Sequence, residues 1–156
     1  MKKKAIFPGS FDPFTIGHES IVLRALDIFD EIIVAIGYNS TKSGFISVDN
    51  RHKMIEKIFN NNNKIQVVKY NKLTVNFCKE NNIDFIIRGL RTASDFEYER
   101  AIAQMNHFLS EKIETVFLLT EAGHTPISST ILREILKHNG DVSQFIPKGI
   151  NIKDYL

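Results

Sequence analysis

A short apolar run, a turn-rich loop and the head of an amphipathic segment follow one another in Ala5-Ile6-Phe7-Pro8-Gly9-Ser10-Phe11-Asp12-Pro13-Phe14-Thr15-Ile16-Gly17-His18. Ala5-Ile6-Phe7 reads as a buried strand. Beyond the loop, Ile21, Val22, Ala25, Leu26 and Phe29 recur at helical spacing and form one apolar stripe. Strand, loop and helix in this order make the first half of a βαβ unit, and the pattern repeats along the chain. Further strands are expected at Ile32–Ile36, Ile65–Val68, Phe85–Ile87 and Val116–Leu119, several apolar at consecutive positions as in a parallel sheet covered on both faces. A second stripe, Tyr98, Ala101, Ile102, Met105 and Leu109, is read as another core face. Ser94-Asp95-Phe96-Glu97 has capping-box spacing at its head. A helix should close at Phe59 before the Asn60 to Asn63 turn, and one through Ile131 to His138 should stop at Asn139-Gly140. The expected fold is α/β: a single doubly wound Rossmann-like domain with a five-stranded parallel sheet.

Composition agrees with one domain. The chain has 156 residues, 43% hydrophobic and 24% charged, close to globular averages. Twenty Lys and Arg against 18 Asp and Glu leave a net charge of +2, too small for a broad nucleic-acid footprint or a polybasic membrane surface. A single cysteine, Cys78, rules out an internal disulfide framework and a multi-thiolate metal site. It is read as a small buried hydrophobe in a helical segment from Val75 to Lys79. No apolar run reaches the roughly 18 residues that span a bilayer, and a soluble, cytoplasmic protein is expected. Eight glycines include neither GxGxxG nor GxxxxGK[ST], which lowers dinucleotide oxidoreductases and P-loop NTPases.

In doubly wound sheets, ligands bind beyond the carboxyl ends of the strands, so the polar residues there carry the chemistry. Gly9 permits a sharp turn, Ser10 offers a hydroxyl, Asp12-Pro13 sets a turn, and Gly17 leaves room beside a helix start. His18 falls in the first helical turn, where free N–H groups favour an anion, and its imidazole is placed to bond a phosphoryl oxygen. Arg88-Gly89-Leu90-Arg91 sets two guanidinium groups at the end of the fourth strand; they either grip an anion or pair with Asp95, Glu97 or Glu99, and the anion is preferred. Ser128-Ser129-Thr130 offers three hydroxyls at a helix start, Ser128 as its cap, with Arg133 one turn on. Lys42 follows the second strand and completes a set expected at one sheet edge. His52, His107 and His138 are read as structural. Cations and donors without a nucleophilic triad or metal cage suit nucleotidyl transfer, in which positioning and charge stabilisation supply most of the catalysis.

These segments, together with Asp95-Phe96-Glu97-Tyr98-Glu99, Ile127-Ser128-Ser129-Thr130 and Gly140-Asp141-Val142, resemble the bacterial phosphopantetheine adenylyltransferases over essentially the whole chain. Thr15-Ile16-Gly17-His18 alone would indicate only the wider nucleotidylyltransferase superfamily. The resemblance implies a single nucleotidylyltransferase domain over residues 1–156 that transfers adenylyl from ATP to 4′-phosphopantetheine, giving dephospho-coenzyme A and pyrophosphate. By position, it implies that Ser10, Lys42, Thr74 and Arg88 hold phosphopantetheine. Ser10, Phe11, His18, Gly89, Leu90, Arg91, Glu99 and the loop His124, Thr125, Pro126, Ile127, Ser128, Ser129 and Thr130 would hold ATP. His18 would stabilise the transition state, with Lys42 and Arg91 sharing the charge. Magnesium would arrive with ATP, with no protein metal site. A homohexamer that coenzyme A can inhibit is also implied. Ser10 stands where Thr is common, Thr74 where a larger apolar residue is frequent, and His124 and Pro126 where aromatics are frequent. The other readings are a nucleotidylyltransferase for another small acceptor, such as nicotinamide mononucleotide, one that uses CTP, or a non-catalytic nucleotide or coenzyme A binding module.

Overall fold

The computed structural model describes residues 2–156. Five strands, β1 (Lys4–Gly9), β2 (Glu31–Gly37), β3 (Ile65–Tyr70), β4 (Phe85–Leu90) and β5 (Glu114–Leu119), form one parallel sheet in the order β3-β2-β1-β4-β5. Helices α1 (Ile16–Ala25), α2 (Val48–Phe59), α3 (Thr74–Glu80), α4 (Ala93–Leu109) and α5 (Ser129–Lys137) connect the strands or follow the last. Alternate strand residues face opposite sides. Ala5, Phe7, Ile32, Val34 and Ile36 join α1, α2 and α5 residues such as Val22, Ile55 and Leu132 in the larger core. Ile6, Ile33, Ala35 and Ile86 meet Val75 and Cys78 of α3 in the smaller one. Every expected strand is present, but each is longer than its apolar core because pairing continues into polar residues. β4 carries Arg88 and Gly89 inside the strand, opposite Phe117 and Leu118 of β5.

The sheet opens where the connections change direction. β1 stays in register with β2 from Lys4 to Gly9, whereas its pairing with β4 covers only Ala5–Phe85 and Ile6–Ile86. Past that point the carboxyl ends of β1 and β4 diverge. Pro8 has no N–H to offer there, and Arg88 Nη1 donates to the Pro8 carbonyl at 2.6 Å, bridging the gap with a side chain.

Two local expectations need correction. α4 is capped by Thr92, whose hydroxyl accepts from Asp95 N at 3.1 Å, not by Ser94. Its Tyr98–Leu109 stripe is not core: Tyr98 is 69% exposed, Met105 61% and Leu109 48%, and Glu99 is the one buried residue of the helix. Helical periodicity says that a face is meant to be covered, but not that this chain covers it. The remaining stops and caps fall as expected. α2 ends at Phe59, Ser128 accepts from Ile131 N at 3.2 Å, and α5 closes at Asn139, in left-handed conformation (φ 58°), with Gly140 N bonded to Ile135 O.

Candidate active site

Two cavities lie in the gap between β1 and β4, of about 360 and about 310 Å³. They share one wall, made of Pro8, Gly9, Ser10, Arg88 and Glu99. The first extends between the start of α1 and the start of α5. The second extends over β3 and α3 to Tyr70, Thr74 and the Ile102, Ala103 and Asn106 side of α4.

The shared wall depends on how the loop after β1 is held. Phe11 has φ 47°, a left-handed backbone that costs a non-glycine residue about 1–2 kcal/mol. Its ring packs among Phe7, Phe14 and His18 at centroid distances of 5.1 to 5.3 Å. A Cβ at Gly9 would lie 2.8 Å from that ring, so only glycine fits there. Side chains far away in sequence capture the loop's carbonyls: Arg88 bonds Pro8 O, Arg51 Ser10 O, Arg133 Asp12 O and Ser129 Pro13 O. The Asp12-Pro13 peptide is cis.

His18 is the third residue of α1. The Thr15 N–H donates to His18 Nδ1 at 3.0 Å while the Thr15 side chain accepts from His18 N, a capping box with imidazole in the place of a carboxylate. Because Nδ1 accepts, the ring proton belongs on Nε2, which has no partner among the described residues and is left for the cavity. Burial, reinforced by the positive charges of Arg91 and Arg88, pushes the pKa from 6.5 down to about 4. At neutral pH His18 is therefore an uncharged donor.

Both arginines have carboxylate partners. Arg88 makes a two-pronged pair with Glu99, at 2.8 and 2.6 Å, and Arg91 Nε lies 3.3 Å from Asp95. The carboxylate pairing given as the alternative is thus present for both arginines, and both also line the cavity. Glu99 reaches both cavities with its oxygens occupied by Arg88. Ser10, Phe11, Gly89, His124, Ile127, Ser128, Ser129 and Thr130 also line the first cavity, with Arg133 and the unforeseen Thr120. Leu90 is buried, and Thr125 and Pro126 lie outside the lining. Thr74 lines the second cavity and bonds the hydroxyl of Tyr70 at 2.9 Å, a residue not singled out in advance. Lys42 does not join the others. It sits exposed on a turn in which the Asn39 side chain accepts from Thr41 N and Oγ1, and it lines neither cavity. The expected convergence of four loops is a convergence of three. Among the described residues, no group of three or more His, Cys, Asp and Glu side chains is placed to hold a metal ion. No helix among the described residues is long and apolar enough to cross a membrane.

A solved structure from Vibrio parahaemolyticus, described as a nicotinate-nucleotide adenylyltransferase, superimposes with a TM-score of 0.67 over 94% of each chain at 20% identity, a likeness of fold. The model of the cytidylyltransferase-like family matches residues 6–135, a span that contains the capped His18, the arginines of β4 and the start of α5. Fold and site together thus define a protein of the cytidylyltransferase-like class. Within it, phosphopantetheine adenylyltransferases from Bacteroides thetaiotaomicron and Flavobacterium psychrophilum are 50% and 47% identical to the chain, over 96% and 97% of its length and 99% of their own. That from Leptospira biflexa is 46% identical over 94% of the chain and 92% of its own. The chain belongs to the phosphopantetheine adenylyltransferase family.

Proposed function

We propose that the protein transfers the adenylyl group of ATP to 4′-phosphopantetheine, yielding dephospho-coenzyme A and pyrophosphate, a step of coenzyme A synthesis. The observation that carries this reading, beside family membership, is the pair of cavities joined along the Ser10–Arg88 wall, next to a histidine kept neutral. A transfer between two phosphate-bearing molecules needs two adjoining sites and a donor where they meet. ATP takes the first cavity, with its phosphates toward His18, Arg91 and the Ser128–Thr130 helix start. Phosphopantetheine takes the second, its phosphate at Arg88 and its pantetheine arm toward Tyr70, Thr74 and Asn106.

The acceptor phosphate has its second pKa at about 6, so it is already a nucleophile near neutral pH and no general base is required. One of its oxygens forms a bond to the α-phosphorus as the bond from that phosphorus to the bridging oxygen breaks, and pyrophosphate leaves with the electron pair. His18 Nε2–H donates to an α-phosphoryl oxygen as charge gathers there, and Arg91 adds positive potential. The pocket carboxylates Asp95 and Glu99 are held by arginines and form no cage. Mg2+ would enter as part of the MgATP substrate and would supply charge neutralisation at the phosphates.

The exposed α4 face and the family resemblance support self-association, with a homohexamer as the proposed assembly. Coenzyme A, which contains the product, would fill both cavities and inhibit. The proposed location is the cytoplasm.

The test is pyrophosphate release with MgATP and a panel of acceptors. Phosphopantetheine should give dephospho-coenzyme A, and nicotinamide mononucleotide should give nothing. A folded protein that binds ATP but forms no product with phosphopantetheine would overturn the assignment.

A further inference from the structure

Two buried charged side chains beside the loop after β1 are not used by the chemistry above. Asp12 is 8% exposed and Arg51 5%. Asp12 Oδ2 and Oδ1 accept from Phe45 N and Ile46 N, each at 2.8 Å. Arg51, in the first turn of α2, donates through Nε to Ile46 O at 3.0 Å and through Nη1 to Ser10 O. The segment between Lys42 and α2 thus closes around the loop that carries Ser10. Gly44 lies against the clasp: a Cβ there would stand 3.0 Å from Asp12 Oδ2 and 3.1 Å from Arg51 Nη2. Ser10 is itself exposed and is shared by both cavities, next to the strained Phe11.

We propose that Asp12 and Arg51 are positioning residues for adenylyl transfer, fixing Ser10 where the two cavities meet and tying the Lys42-bearing loop to the same frame. The inference rests on the function proposed above. Neither side chain touches a substrate; each acts through backbone groups of the two loops. Arg51 is suited to this because one planar guanidinium donates to a carbonyl of each loop at once, which the single ammonium of lysine cannot reproduce. Asp12 is suited because an ionised carboxylate accepts from two adjacent N–H groups, whereas an amide would turn a donor toward one of them. The nucleotide cavity also takes much of its lining from α1, β4, α4 and the segment from Thr120 into α5, none of which the Asp12 and Arg51 side chains bond. Loss of the clasp is therefore expected to disturb the meeting of the substrates more than the binding of ATP.

Arg51→Lys and Asp12→Asn test this. In each folded variant, kcat with phosphopantetheine should fall about 10- to 100-fold, as expected for a small misplacement of reacting groups, while the Kd for ATP changes less than about 3-fold. Hydrogen exchange of the Phe45 and Ile46 amides should quicken at least about 10-fold. Loss of amide protection with kcat per folded molecule unchanged would overturn the proposal and leave the clasp as structure alone; parallel losses in kcat and ATP affinity would also overturn it. If either variant fails to fold, Gly44→Ala presses on the clasp from the loop side without altering either charge. It should show the same split at about 3- to 10-fold, and unchanged kcat there counts against the proposal. Failure of the unsubstituted protein to form product refutes the function instead, and the exchange data still report on the clasp.

Discussion

Replacing His18 by glutamine isolates the free-energy cost of protonating a half-buried imidazole. Gln at the third helical position can itself accept from Thr15 N–H, so the capping box survives and the change falls mainly on titration. The folded-state pKa of His18 is depressed from 6.5 to about 4, so the unfolded chain binds its proton more readily than the folded one. The stability that depends on neutral His18 is thus fully present above 6.5 and is lost as pH falls from there toward 4. At about pH 5 the loss corresponds to roughly 1.5 pH units at about 1.4 kcal/mol each, or about 2 kcal/mol, and nearer 1 once water in the open cavity screens the arginines. Urea unfolding of both proteins at about pH 7.5 and about pH 5 gives the comparison. Between these conditions the unsubstituted protein should lose about 1–2 kcal/mol more than His18→Gln, the other histidines cancelling in the difference. An equal loss in both proteins would show that the imidazole is not held neutral, and the electrostatic account of His18 would fail with it.

Replacing Glu99 by Gln removes the charge opposite Arg88 and sets an amide donor against the guanidinium; urea unfolding should show about 1–3 kcal/mol of destabilisation, and kcat/KM should fall for both substrates because the wall is common to both cavities. Gly9→Ala should cost about 1–3 kcal/mol through the Phe11 ring, whereas Gly17→Ala, whose Cβ meets nothing nearer than 3.5 Å, should be neutral or stabilising, as thermal melts of the two will compare. Met105→Glu on the exposed face of α4 should lower the particle mass seen by light scattering while the monomer's circular dichroism is kept. Cys78, buried with its thiol pushed up to about 11, should resist a thiol reagent at about pH 8 until denaturant is added, because only about one molecule in a thousand carries the thiolate.

What could be read from the sequence was whatever is local. The β-branched runs marked every strand, and the Thr15 to His18 segment marked a helix start that holds a histidine at a strand end. The errors arose where local pattern meets a distant partner. The Tyr98–Leu109 stripe carries the period of a buried face, but period does not name the covering surface. Lys42 follows a strand as the other site residues do, but the Asn39 turn leaves it outside the cavities. Arg51 could not be singled out at all: in sequence it is one arginine in a polar helix turn, and its role comes from carbonyls of Ile46 and of Ser10, 41 residues away. The pairing of Arg88 with Glu99 could be listed among possible partners but not chosen, because an 11-residue separation crosses from a strand to a helix.

Because Pro8, Gly9, Ser10, Arg88 and Glu99 wall both cavities, an occupant of one that shifts this wall would alter the free energy of filling the other. Such a coupling is reciprocal: if a nucleotide tightens the acceptor's hold by some factor, the acceptor tightens the nucleotide's by the same factor. A molecule that spans both cavities settles the shared wall once and loses its freedom of translation once, whereas two separate ligands each do so. A product of the proposed reaction would lie across both cavities, so its departure would have to free both sides of the shared wall at once, a step at which turnover can be governed.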